Sequence, residues 1–353
     1  MVPSGRCRRM NRPRPVEFFD TGQDGGRAAP GAEIVPGIVP LVLPLDFGPK
    51  RVTCWLLRDG DGWTVVDCGA DTPGIRRIWA DVLRGELGGD VRRIVATHGH
   101  VDHVGHAGPL WEATGRPPFL MTRTEWLSAS LRGAMAGRPA RGDGGDFFRL
   151  HGVPEAELPD FTAMPAALGA LAPLPDRFVR IAEGDVLRIG GRHWRVLTAG
   201  GHAPEHAALY CAEEALLIAG DQVLPRITPF VGVFPAEPEA DPLGEFLAAL
   251  DRFGALAEET LVLPAHGPAF RGLHARLAQL RAHHDARLSE IAALAAQPVS
   301  AYRIAAQVFP RAMAGGHRRL ALAETLAHLN LLCGTGRMAR RRGTDGGVVF
   351  LAA

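Results

Sequence analysis

Thr97-His98-Gly99-His100-Val101-Asp102-His103 puts three imidazoles and a carboxylate within six consecutive positions, 98 to 103. Protonated, these groups would crowd and repel, whereas neutral imidazole is the commonest protein metal ligand. The spacing does not suit a helix face, where paired ligands recur at i and i+4. It suits a loop leaving a strand, and Val91–Thr97 reads as that strand. Ligand and catalytic residues concentrate on loops held by a rigid scaffold. One loop cannot surround two metal ions, so further ligands are expected downstream.

Three later segments each run from a buried-looking strand into a turn. Trp194–Thr198 continues through glycines to His202, Ala215–Gly220 ends at Asp221, and Thr260–Ala265 ends at His266. A polar residue at a strand end is often simple turn chemistry, but three in this order behind the first motif point to one metal centre.

With these motifs the chain resembles the metallo-β-lactamase superfamily. The matching stretches are THGHVDH (97–103), GGH (200–202), GD (220–221) and PAHG (264–267). An earlier one is Thr64-Val-Val-Asp67-Cys68-Gly69, and the likeness spans roughly residues 35–270. The resemblance implies that His98, His100 and His202 hold one divalent ion, and Asp102, His103 and His266 a second. It implies that Asp221 bridges both and that Asp67 orients a ligand imidazole, as outer groups at metal sites do. Five histidines and two aspartates without a thiolate suit zinc, with iron or manganese as alternatives.

Two such ions, typically ~3.5–4 Å apart, generate a nucleophile from water and clamp a substrate oxygen. The expected reaction is hydrolysis of a thioester or ester, with Asp102 or Asp221 taking up the proton. β-Lactam-cleaving members usually carry cysteine where Asp221 stands, so antibiotic hydrolysis is not the expected role. Acyl-homoserine-lactone hydrolases carry a tyrosine just after the bridging aspartate, and here Gln222-Val223-Leu224 follows. Hydroxyacylglutathione hydrolase chemistry fits the motifs, but the C-terminal part departs from that enzyme's tail. A metal-dependent endoribonuclease and a mononuclear iron persulfide dioxygenase remain open alternatives.

The chain has 353 residues, 46% of them hydrophobic, enough for a large core with a smaller second domain. Net charge is +1, so no global field recruits nucleic acid or an anionic membrane. Lys50 is the only lysine beside many arginines, which reads as the coding bias of a GC-rich genome. Five cysteines, an odd number without a Cys-x-x-Cys pair, read as reduced thiols in a cytoplasmic protein. Residues 1–30 carry Arg6, Arg8, Arg9, Arg12 and Arg14 near their start and no apolar stretch, which predicts a disordered tail rather than a secretory signal; Met10 is a second candidate start. No run approaches the ~20 apolar residues of a membrane span.

Strands grouped with intervening helices predict an αββα sandwich over residues 31–270. Helical spacing over Arg271–Ala296, Ala301–Phe309 and Arg318–Leu332, then a hairpin around Thr344-Asp-Gly-Gly347, predicts a winged helix over 271–353. Its last helix offers mostly Leu and Ala, so a role in supporting the site or a homodimer is expected over nucleic-acid contact. Between Met121 and Pro175 lies an irregular stretch whose Trp126, Phe147 and Phe148 either wall a substrate pocket or pack a surface helix. Arg226 is the candidate for gripping a substrate carboxylate. His206 is a candidate substrate contact with a structural role as its alternative. His106 and Cys68 read equally as site-facing or as ordinary surface and core residues.

Overall fold

Along Arg51–Asp59, Trp55 and Leu57 enter one apolar cluster while Val52, Cys54 and Leu56 enter another. That alternation, period two, is what a strand buried on both faces produces. A computed structural model describes residues 15–19, 32–85, 90–135, 144–163, 170–344 and 346–353. Its strands form two large sheets. One runs in the order β2 (Ile38–Pro44), β3 (Arg51–Asp59), β4 (Gly62–Val66), β5 (Val91–Val95), β6 (Phe119–Met121) and β7 (Val179–Arg180). The other runs β1 (Glu17–Phe19), β13 (Ala269–Arg271), β12 (Leu261–Pro264), β11 (Leu216–Gly220), β10 (His206–Cys211), β9 (Arg192–Ala199) and β8 (Val186–Ile189).

Three apolar clusters define the layers. Between the sheets lie Trp55, Val66 and Val95 from one and Trp194, Leu209, Ile218 and Leu263 from the other. Outside the first sheet pack α1 (Pro73–Arg84), α2 (Val101–Val104), α3 (Ala107–Ala113) and α4 (Arg123–Met135), through Ile75, Trp79, Leu110 and Ala129. Outside the second lie α5 (Gly144–Leu150), α6 (Leu158–Thr162), α7 (Pro242–Phe253) and the C-terminal elements. These are α8 (Leu273–Leu294), α9 (Ala301–Val308), α10 (Pro310–Ala314), α11 (Arg318–Gly334) and the hairpin β14 (Met338–Arg342) and β15 (Val348–Ala352). The αββα sandwich is therefore present. The C-terminal helices share one continuous core with the second sheet rather than standing apart.

Some expectations change. Glu17–Phe19, inside the stretch expected as a disordered tail, pairs antiparallel with β13, since that sheet edge offers free ladder groups; residues 1–14 and 20–31 lie outside the described residues. The ligand loop runs into two short helices, α2 and α3, separated where the His106 N–H turns away to the Gly69 carbonyl. The stretch read as irregular, 121–175, holds α4, α5 and α6, whose short or weakly amphipathic patterns carry little periodic signal. No helix among the described residues is long and apolar enough to cross a membrane.

Candidate metal centre

Five strand ends converge on one spot, the usual location for ligand sites in sheets of this kind. β4 ends at Asp67, β5 leads to His98 and His100, β9 to His202, β11 to Asp221 and β12 to His266. Asp102 and His103 sit on the short helix α2, so the ligand loop is half helix rather than wholly irregular. His98 Nε2, His100 Nδ1 and His202 Nε2 lie 2.9, 3.0 and 3.2 Å from one another. A second group is formed by Asp102, His103 and His266, with His266 Nε2 3.4 Å from Asp102 Oδ2 and His103 Nε2 3.9 Å from the same oxygen. Asp221 spans the two. Its Oδ2 is 3.3 Å from His202 Nε2, while Oδ1 is 3.4 Å from His103 Nε2 and 3.3 Å from His266 Nε2.

The back of nearly every imidazole is held, which fixes the nitrogen it turns inward. His103 Nδ1 donates to Asp67 Oδ2 at 2.8 Å, and His98 Nδ1 to the Thr97 hydroxyl at 3.1 Å. His202 Nδ1 donates to the Phe230 carbonyl at 2.8 Å and His266 Nδ1 to the Arg51 carbonyl at 2.6 Å. Asp67 also takes the Thr97 N–H at 2.8 Å and holds a left-handed backbone, φ 62°, which is uncommon outside glycine. Gly201 takes φ 107° where a Cβ would press 2.4 Å from Phe246 Cβ, so the turn into His202 needs glycine.

Charge is unevenly placed. Burial, reinforced by the surrounding imidazoles, drives His98 and His100 well below the ordinary histidine range and keeps them neutral. Burial opposes charge on His266 too, but Asp221 and Asp102 outweigh it and raise it to about 10. His103 is raised against burial by Asp221, Asp67 and Asp102. Burial works against ionised Asp102 as well, yet His103 and His266 bring it to about 2. His103 Nε2, His266 Nε2 and Asp221 Oδ1 are buried without a hydrogen-bond partner, although buried polar atoms normally have one. Neutral nitrogens on one side, anionic oxygens demanding positive charge on the other, and unpartnered atoms facing inward fit divalent cations.

Comparison with known proteins agrees. Residues 47–266 match the metallo-beta-lactamase superfamily, and residues 288–353 match the family described as metallo-beta-lactamase-like, C-terminal domain. The chain belongs to the metallo-β-lactamase superfamily. A beta-lactamase domain protein from Burkholderia ambifaria has a crystal structure 39% identical, with TM-score 0.86, covering 96% of this chain and 98% of that one. A metallo-beta-lactamase family protein from Thermus thermophilus is 30% identical with TM-score 0.74, covering 91% of this chain and all of that one (100%). A hydroxyacylglutathione hydrolase of Albidiferax ferrireducens is 25% identical over 60% of this chain and 60% of its own length.

The residues proposed around this metallo-β-lactamase centre fare differently. His206 is wholly buried; its Nε2 accepts the Asp221 N–H at 3.2 Å and its ring stacks on His98, so it braces ligands and does not meet substrate. Burial holds it at about 3, neutral and able to accept. Arg226 is exposed, with its guanidinium 4.9 Å above the Phe18 ring, so the edge strand occupies the group meant for a substrate carboxylate. Phe148 is buried against Phe161 and Phe147 packs beside it in the core shared with the C-terminal helices, the packing role of the two expected. Trp126 stacks on Phe178. His106 is neither solvent-facing nor a ligand: Asp71 holds its Nδ1 at 2.9 Å. Cys68 is a fully buried core residue.

Sequence reasoning passed over Glu125, which is fully buried on α4. Its Oε2 accepts the Gly99 N–H at 2.9 Å and its Oε1 the Glu205 N–H at 2.8 Å, joining the two ligand-bearing turns. Arg132, one further α4 residue, donates to the Gly99 carbonyl at 2.6 Å. Neither lies in a motif; the one signal is a charged pair seven positions apart on a helix hidden in a weakly periodic stretch. The Phe230 and Arg51 carbonyls had no signal at all, since every residue has one.

Proposed function

We propose that this protein is a binuclear metal-dependent hydrolase cleaving a thioester or ester of a small acyl substrate. The observation that carries the reading is Asp221, whose two oxygens face two different ligand groups at 3.3–3.4 Å. His98, His100 and His202 would hold one ion and Asp102, His103 and His266 the other, most suitably zinc, with iron or manganese fitting the same donors. When bound, two divalent ions supply Lewis acidity and bring the pKa of water near neutrality. Asp102 is the more accessible of the two acids, its side chain 15% exposed against 9% for Asp221. We assign it to hold the proton released by the attacking water, and Asp221 to keep the two halves in register. Similarity to a hydroxyacylglutathione hydrolase supports thioester chemistry, over part of the chain.

We read the C-terminal helices and hairpin as a winged helix used for packing. Nine side chains of α11, among them Leu322, Leu326 and Leu329, are buried. Arg318 pairs with Glu157 and Asp160, Arg319 donates to the Ala163 carbonyl, and Arg340 pairs with Glu239. Basic groups engaged within the protein are poorly placed to meet phosphates. The free state of Cys54, Cys68, Cys211 and Cys333 accords with a reducing, cytoplasmic setting.

Elemental analysis with a panel of thioesters, esters, lactones and a labelled RNA tests this. Two zinc ions per chain with chelator-sensitive thioester or ester cleavage is the expected result. RNA cleavage without acyl hydrolysis would replace it by an endoribonuclease. One iron with oxygen-dependent persulfide oxidation would replace it by a dioxygenase.

A further inference from the structure

The connection from β11 to α7, residues 221–241, contains neither helix nor strand. Yet it begins at Asp221, and Gln222, Val223, Val231 and Val233 within it are buried. Long irregular segments inside a compact fold need their backbone polar groups satisfied by something else. Here the C-terminal helices supply the partners. Arg276 of α8, buried itself, donates from Nε to the Leu224 carbonyl at 2.6 Å and from Nη2 to the Ile227 carbonyl at 2.8 Å. On α11 the Ala323 carbonyl accepts the Val233 N–H at 3.0 Å. Asn330 Nδ2 donates to the Pro238 and Ala240 carbonyls at 3.0 and 2.8 Å. Gly232 permits the approach, since a Cβ there would sit 3.0 Å from Ala323 Cβ and 2.5 Å from the Phe230 ring.

Phe230 lies between these two anchors, and its carbonyl fixes the His202 ring. The other group is built differently. His266 leans on the carbonyl of Arg51, a strand residue of β3, and His103 on Asp67 at the end of β4. One group is therefore braced by sheet, whereas His202 of the other leans on a loop that the C-terminal helices hold.

We propose that Arg276 and Asn330 are positioning residues for His202. Through the 221–241 connection they hold the Phe230 carbonyl, and so set the cation affinity of the His98, His100 and His202 group without touching an ion or substrate. The inference rests on the two-cation reading above. Loss of a group that orients a ligand typically weakens metal binding 10- to 100-fold. An indirect brace belongs at the lower end, about 10-fold.

The test titrates zinc into chelator-stripped full-length protein against a competing chromophoric chelator. Wild type is compared with Asn330→Ala, Arg276→Met and Arg276→Lys. Two binding steps are expected in wild type. Asn330→Ala and Arg276→Met weaken one step about 10-fold and leave the other unchanged, while Arg276→Lys, keeping one donor group, falls between. Circular dichroism of the metal-free proteins reports folding; should Arg276→Met not fold, the half-buried Asn330 carries the test. Equal weakening of both steps, or no change in a folded Asn330→Ala, overturns the inference and leaves the proposed function standing. Absence of zinc binding by wild type overturns both.

Discussion

The Gly99 N–H donates to Glu125 Oε2 at 2.9 Å, which ties the first ligand turn to α4. Because Oε1 of the same carboxylate takes the Glu205 N–H, one buried acid joins the turn carrying His98 to the turn carrying His202. Glu125→Ala leaves the buried Gly99 N–H and the part-buried Glu205 N–H unpaired, at about 1–3 kcal/mol for a fully buried group. We expect a loss of several kcal/mol in urea unfolding of the metal-free protein, and a smaller loss for Glu125→Gln, which keeps one acceptor.

Asp67→Asn tests the brace behind His103. Asparagine tolerates the left-handed backbone there nearly as well as aspartate, so the substitution isolates the lost charge from backbone strain. Zinc affinity measured by chelator competition is expected to fall about 10- to 100-fold. An unchanged affinity would mean that the imidazole is oriented by packing alone.

Removing the metal should lower the melting temperature, since an ion bound only by the folded chain stabilises it. At a free concentration 100 times its dissociation constant one ion contributes about 2.7 kcal/mol. Thermal melts with and without chelator, and after zinc is restored, measure this. Identical melts would show that the cluster binds no ion in solution.

Arg226→Ala is expected to leave the Michaelis constant for the proposed acyl substrate unchanged. The guanidinium rests on Phe18, an exposed cation–π contact worth about 0.5–1 kcal/mol. A severalfold rise in the constant with kcat unchanged would return this residue to the substrate site.

The C-terminal helices carry opposed pH-sensitive groups. Burial raises Glu324 from an ordinary 4.5 to about 7 and lowers His284 and His328 from 6.5 to about 3 and about 4. The folded chain holds the Glu324 proton where the unfolded chain releases it, so this contribution is full below pH 4.5 and is lost as pH rises through 7. The histidines act the other way, since the unfolded chain takes up protons that the folded chain refuses as pH falls from 6.5 towards 4. Glu324→Gln should therefore raise the melting temperature at pH 8, change it little at pH 4, and leave only the acid-side decline. Parallel profiles for variant and wild type would refute this.

Legibility followed chemistry rather than position. His98, His202, Asp221 and His266 stood out because a titratable side chain closing an apolar run is unusual enough to notice. Phe147 and Phe148 could be read two ways because an aromatic pair in an irregular stretch looks alike whether it lines a cleft or seals a helix. Arg226 misled for a longer-range reason: only folding brings Phe18 of β1 beside it, from about two hundred residues away in sequence. Braces made by main-chain carbonyls leave no mark in a sequence.

Directly beneath the centre the two sheets are stitched by backbone. The Ala207 N–H reaches the Thr97 carbonyl and the Thr53 N–H the Ala265 carbonyl, each at 2.7 Å, and Trp55 Nε1 reaches the Pro264 carbonyl at 3.2 Å. These three bonds brace the floor against parting. A change in what the centre admits is therefore expected to come from residues at its rim, because altering this base would break cross-sheet bonds.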